Sequence, residues 1–198
     1  MKKIQLTIAA ILVFTLAGYS QFRKGSVLVG GNGSFNLGFM GDKTKNGSTT
    51  HKNYSETTFT INPQVGYFVV DNLAVGAGLT LSSYATKDTD TSVKTTSTDF
   101  LFSPFARYYY HKFYGQLEFD AGSNKYTYRT ATNNESTSKS TVTGWSLAAG
   151  YALLLNDHVA IEPQIGYSVT STKPSGSDTK DIYGGLFIRA GIYVYLYK

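Results

Sequence analysis

The chain is organised by a period of two. Hydrophobic and polar side chains alternate over eight segments, approximately 24–41, 52–70, 73–88, 94–110, 113–130, 138–155, 158–172 and 180–197. Alternation at this period gives each segment one apolar and one polar face, which predicts strands. In the second segment Phe59, Ile61, Pro63, Val65, Tyr67 and Val69 oppose Thr60, Asn62, Gln64, Gly66 and Phe68. The fourth sets Phe100, Phe102, Pro104, Ala106, Tyr108 and Tyr110 against Asp99, Ser103 and Arg107. The sixth apolar row runs from Trp145 to Leu155 and the seventh from Val159 to Val169. Each of these four rows spans 11 residues, and those of the third and fifth segments span 9. A tilted strand crosses the hydrocarbon of a bilayer in about 9–11 residues. In the eighth segment the even positions from Ile182 to Leu196 carry only Ile, Leu, Val, Ala and Gly.

The connections alternate in length. Asp71-Asn72, His111-Lys112 and Asn156-Asp157 form two-residue links; Asx residues tolerate the positive φ of tight hairpins, and His111-Lys112 is inferred from spacing. The other connections, near 42–51, 89–93, 131–137 and 173–179, are longer and polar. Prolines 63, 104 and 163 count against central strands and predict bulges or strand ends there. Gly30-Gly31-Asn32-Gly33 lies within a strand with no helix after it, so it reads as a bend and not a phosphate loop. Asn62-Pro63-Gln64-Val65-Gly66-Tyr67 is echoed by Glu162-Pro163-Gln164-Ile165-Gly166-Tyr167, as shared barrel geometry would produce.

Residues 1–20 have the layout of a secretory signal peptide: Lys2 and Lys3, an apolar stretch from Ile4 to Ala17, and small residues Gly18 and Ser20 before Gln21. Residues 21–198 are then one mature domain. Loss of two lysines lowers the formal charge from +5 to +3, with 16 basic and 13 acidic residues remaining. That excess is scattered, which argues against nucleic acid as a partner. Cysteine is absent, so an exported chain would depend on backbone pairing and packing alone. Sixteen Tyr, 12 Phe and 20 Gly fit strands with places of close backbone approach.

Two architectures use eight antiparallel strands with one greasy face. A lipocalin-like carrier turns that face inward, and an outer-membrane barrel turns it outward. Aromatic residues at both ends of the apolar rows favour the second: Phe59, Phe100, Trp145 and Tyr167 at one level, Tyr67, Tyr108, Tyr110 and Phe113 at the other. Loop alternation favours it too. On these features, together with a last strand rich in aromatics, residues 21–198 resemble the small outer-membrane β-barrel family, the OmpA/OmpX type and its porin-family relatives. The chain ends Tyr195-Leu196-Tyr197-Lys198, so the terminal aromatic typical of that family is displaced by one residue. The resemblance implies an all-β, eight-stranded, up-and-down transmembrane barrel in the bacterial outer membrane. It also implies contact with outer-membrane lipid and with the barrel-insertion machinery during biogenesis; a monomer is expected.

The enclosed face collects Arg107, Glu118, Asp120, Glu162 and Arg189, with Gln64, Gln116 and Gln164 in register. Buried charges must be paired, so these predict a structural ion-pair network that fills the lumen, with no catalytic, cofactor or metal site. The expected role is non-enzymatic, structural or in surface interaction through the outer loops. A narrow channel for small solutes is the alternative, and a lipid-modifying enzyme using His51 with a loop Ser and Glu56 or Asp90 is a further one. His51, His111 and His158 lie too far apart along the strands for one metal site. Ser/Thr-rich stretches such as Tyr126–Thr143 continue the strand pattern past the apolar rows, predicting a projecting polar sheet able to meet an extracellular protein partner by strand addition.

Overall fold

The computed structural model describes residues 22–36, 43–46, 49–52, 54–88, 93–132 and 134–196. The segment expected to be a signal peptide lies outside the described residues, as do 37–41 at the end of the first predicted strand. The strands are β1 (Val27–Asn36), β2 (Lys43–Asn46), β3 (Thr49–Lys52), β4 (Tyr54–Val70), β5 (Leu73–Asp88), β6 (Lys94–Tyr110), β7 (Phe113–Arg129), β8 (Glu135–Tyr151), β9 (Leu153–Leu154), β10 (Val159–Pro174) and β11 (Asp181–Leu196). β8 and β9 are one stave interrupted at Ala152, so the main sheet has eight staves. Its order is β11-β1-β4-β5-β6-β7-β8-β10, with β10 also paired to β11, and every pairing is antiparallel. The pairing of β1 with β11, from Val27↔Leu196 to Asn32↔Gly191, closes the ring. These six pairs join the two end strands on the turn side of the sheet, and closure of this kind is how strands span hydrocarbon.

The short links sit at one end. Asn72 and His111 hold φ of 66° and 56°, the left-handed conformation a two-residue hairpin turn requires. At the third link the Asn156 side chain accepts hydrogen bonds from the backbone of His158 and Val159, both at 2.8 Å. At the other end the expected loop 42–51 contains a small ladder of its own, Lys43↔Lys52 to Asn46↔Thr49. His51 therefore lies in β3 rather than in irregular loop.

The prolines correct the sequence expectation. Pro63, Pro104 and Pro163 occupy strand interiors on the outward parity, at neither bulges nor strand ends. Each lacks a backbone N–H, and the ladder is broken beside each on one side only. Pairing passes from Ile61↔Leu81 to Gln64↔Gly78, and from Phe102↔Ala121 to Phe105↔Glu118, with the register preserved across both gaps. Pro163 pairs with Ala190 on β11, while its other side faces the break between β8 and β9.

The sheet is greasy outside. Ile165, Leu147 and Phe119 are more than half exposed, and Ile188 is 83% exposed. Such an apolar outer belt is tolerated where lipid covers it. Strands of 17 residues, as in β6 to β8, rise roughly 40 Å at a tilt of about 45°. Hydrocarbon takes about 30 Å of that, so the strands continue beyond the membrane at the long-loop end.

Candidate functional site in the barrel lumen

Inward side chains form layers along the axis. At the turn end lies an aromatic layer in which Phe22, just before β1, folds back into the mouth and stacks on Tyr109 at 4.1 Å between ring centroids. It also meets Tyr195 edge-on at 5.3 Å and Phe68 at 6.1 Å. The backbone fixes this entry: Asn72 N donates to Phe22 O at 2.6 Å, and Lys24 N donates to Asp71 Oδ1 at 2.7 Å. Inward glycines make room for neighbouring rings. A Cβ on Gly150 would collide with the Tyr114 ring, one on Gly76 would lie 2.7 Å from Phe105 Cζ, and one on Gly30 would lie 2.5 Å from Tyr193 Cδ1.

Above the rings is the ionic layer. The Arg107 guanidinium, with no solvent exposure, contacts Glu162 Oε2 through Nη1 at 2.7 Å. Its Nε donates to Gln116 Oε1 at 2.6 Å, Nη1 donates to Tyr109 OH at 3.1 Å, and Nη2 donates to Gln64 Oε1 at 3.4 Å. The Tyr114 and Tyr193 rings flank the cation at 4.4 and 4.5 Å. Tyr195 OH donates to the second oxygen of Glu162, and Tyr193 OH donates to Gln64 Oε1 at 2.7 Å. Gln64 and Gln116 each donate to Glu118 Oε2, at 2.8 and 2.9 Å, which ties this carboxylate to the same cluster.

Of the five charged residues singled out from sequence, four form two pairs. Arg107 meets Glu162, and Arg189 Nη2 lies 3.7 Å from Glu118 Oε1. The glutamines bridge the pairs. Asp120 is held differently, accepting from Ser103 Oγ at 2.5 Å one level higher. Above it come hydroxyl and amide contacts: Asn62 Nδ2 donates to Thr80 Oγ1 at 2.6 Å, and Asn124 Nδ2 donates to both Ser97 and Asp99 at 2.7 Å. Gln164 shares the inward wall with Arg189, its partner in register.

Sequence reasoning missed the aromatic layer. Phe105, Tyr109, Tyr114, Tyr193 and Tyr195 are inward and buried, yet they lie within runs where both parities are apolar. For Phe105, Tyr114 and Tyr193 the signal that could have found them is an inward glycine on an adjacent strand: Gly76, Gly150 and Gly30. Among the described residues, no group of three or more His, Cys, Asp or Glu is assembled to hold a metal. His158 Nδ1 sits 3.1 Å from Tyr195 O at the turn end. Of the alternative enzymatic set, His51 is placed by its backbone in β3, Glu56 projects on the inward parity of β4, and Asp90 lies outside the described residues.

Fold and lumen together define a membrane-spanning, closed, eight-stranded antiparallel β-barrel. Solved structures similar to it include Neisserial surface protein A, at 18% identity and TM-score 0.44, covering 85% of this chain and 93% of that one. The outer membrane protein OprG of Pseudomonas aeruginosa matches at 13% identity and TM-score 0.37, over 89% of this chain and 98% of that one. The outer membrane protease OmpT of Escherichia coli matches at 11% identity and TM-score 0.40, over 86% and 90%. These likenesses concern the fold only. No family model and no curated protein matches the chain.

Proposed function

We propose that this chain is an exported, non-enzymatic protein of the bacterial outer membrane, in which the barrel is a sealed anchor and the projecting strands and loops make its contacts. The observation that carries this is the Arg107 layer. A guanidinium with no solvent exposure, bonded on every nitrogen and flanked by two rings, supports a cross-section filled by side chains at that level. An eight-stranded barrel is just wide enough for side chains to fill, so a packed cross-section is its ordinary condition. The aromatic layer beneath, sealed by Phe22, adds a second barrier. The five lumen charges then serve stability and not conduction or catalysis, and the barrel works as a monomer inserted by the cell's barrel-assembly machinery. Ser/Thr-rich strand ends at the long-loop side offer the surface for an extracellular protein partner.

Planar-bilayer recording tests the seal. The purified chain is expected to give no steady single-channel current at either polarity. Stable open steps would overturn the sealed anchor and favour a narrow channel. A shift in gel mobility between boiled and unboiled samples, with recovery in the outer-membrane fraction, tests the location independently.

A further inference from the structure

Among the described residues, seven buried side-chain nitrogen and oxygen atoms make no hydrogen bond. One is Tyr114 OH; the other six stand together on four adjacent staves, above the Arg107 layer. They are Asn32 Nδ2 on β1, Asn62 Oδ1 on β4, both amide atoms of Gln164 on β10, and Nε and Nη2 of Arg189 on β11. Register sets them side by side. Asn32 pairs with Asn62, Gln164 pairs with Arg189, and Gly191, two residues along from Arg189, pairs with Asn32. Glu118 meets the group from across the lumen. Its Oε1 lies 3.7 Å from Arg189 Nη2, well beyond the roughly 2.7–2.9 Å of a direct charge-assisted contact.

Packing alone does not account for these idle atoms. Gln64 and Gln116 use both amide atoms, bonding Arg107 on one side and Glu118 on the other. Gln164 holds the place of Gln64 in the echoed Pro-Gln stretch and is equally buried, at 3% exposed, yet both of its amide atoms are unmet. Buried donors and acceptors left unmet are costly. The cluster is reachable, however: the Arg189 side chain is 28% exposed. Farther along the inward face of β11, Gly185 has open space around it and Tyr183 is 67% exposed.

The unmet groups specify a ligand. Arg189 Nε and Nη2 share one edge of the guanidinium, the fork that grips a carboxylate with two parallel bonds. With Gln164 Nε2 and Asn32 Nδ2 they make four free donors, matching the roughly four lone-pair sites of a carboxylate. Gln164 Oε1, Asn62 Oδ1 and the loosely held Glu118 Oε1 are three acceptors, matching the three N–H groups of an ammonium. Arg189 and Glu118 already balance in charge, so a ligand without net charge keeps the site neutral. A lone carboxylate adds a negative charge beside Glu118 and Asp120, and a lone ammonium leaves the fork unmet.

We propose that this cluster is a binding pocket for one small α-amino acid in its zwitterionic form, entered from the long-loop end and floored by the Arg107 layer. Arg189, Gln164 and Asn32 take the carboxylate; Glu118, Asn62 and Gln164 take the ammonium. A barrel of eight strands holds one small ligand at most, so the amino acid carries a short side chain. The pocket is additional to the sealed anchor proposed above and relies on its floor.

Saturation-transfer NMR on the full chain folded in detergent provides the test, with glycine, acetate, methylammonium and tryptophan as probes. Glycine is expected to receive saturation at concentrations where the other three receive far less. R189K keeps the charge but loses the fork, and is expected to weaken glycine binding about tenfold, roughly the worth of one charge-assisted hydrogen bond. Q164L is expected to weaken it as well while keeping the heat-modifiable gel mobility of the folded barrel. Acetate bound as tightly as glycine overturns the proposal, since the site would then hold any small anion. Tryptophan bound as tightly overturns it too, because no narrow lumen admits that ring. So does an R189K variant equal to the wild type, or transfer to none of the probes, which would leave the cluster to water. Liposomes loaded with glycine and carrying the chain separate the two failures: leakage sinks the sealed anchor, whereas tight liposomes without glycine binding sink only the pocket.

Discussion

Arg107→Ala is the substitution with the most to lose. It removes a guanidinium bonded to Glu162 at 2.7 Å in a site where neither side chain is exposed. Breaking a buried pair from one side typically costs about 3–5 kcal/mol, because the remaining charge is stranded. The Gln116, Tyr109 and Gln64 oxygens also lose a donor, each worth about 1–3 kcal/mol if left unsatisfied. The losses do not add in full, since Glu162 can take up a proton and Tyr195 still donates to it. A net loss of about 3–5 kcal/mol follows. Guanidinium unfolding of the detergent-folded barrel measures it, with the single Trp145 on the outward belt as a fluorescence reporter. Arg107→Met combined with Glu162→Gln removes both charges and is expected to restore at least half of the loss, because an uncharged replacement strands nothing. A single variant within about 0.5 kcal/mol of wild type, or a double variant no better than the single, would refute the electrostatic account of the lumen.

Four further outcomes follow from the same geometry. Phe22→Ala should cost about 3 kcal/mol by the same unfolding assay, since it empties a 2%-exposed site stacked on Tyr109. Gly150→Leu should destabilise by about 1–3 kcal/mol, and Tyr114→Ala in that background should recover part of it, because the two side chains compete for one space. Ile165→Arg on the lipid face should cost about 2–4 kcal/mol in bilayer-based folding titrations, whereas Ser83→Arg, at the rim of the belt beside Phe59, should cost about 0–1. Arg129 bonds Glu135 and holds its carboxyl below the usual range, so the contact persists above that range and is lost as pH falls through the lowered value. NMR of the β7–β8 hairpin should show its tip loosening on acidification while the membrane strands stay protected.

The strand pattern was legible because a membrane barrel imposes the simplest rule available to a sequence. Lipid outside and a polar lumen inside force alternation, and the strand boundaries from Leu73 to Tyr110 coincide with those read from periodicity. His111 shows how spacing can outperform residue preference: histidine is not a usual turn residue, yet two strands of opposite direction left it no other place, and it adopts φ 56°. The prolines show the converse. Taken singly they argue for bulges, but an outward position beside a local ladder gap accommodates them without any slip in register.

What the amino-acid order determined by itself is the eight staves, their faces and the identities of the charges on the enclosed face, since each depends only on parity along one segment. Which charges meet, and what packs beneath them, is a property of the closed ring. Arg107 finds Glu162 across 55 residues, and Tyr193 finds Gln64 across 129, because closure at β1 and β11 brings distant strands face to face across a narrow axis. The inward rings were hidden for the same reason: Phe105, Tyr114 and Tyr193 fit where a glycine on a neighbouring strand leaves room, and Phe22, Tyr109 and Tyr195 pack on one another, complementarity that exists only in three dimensions.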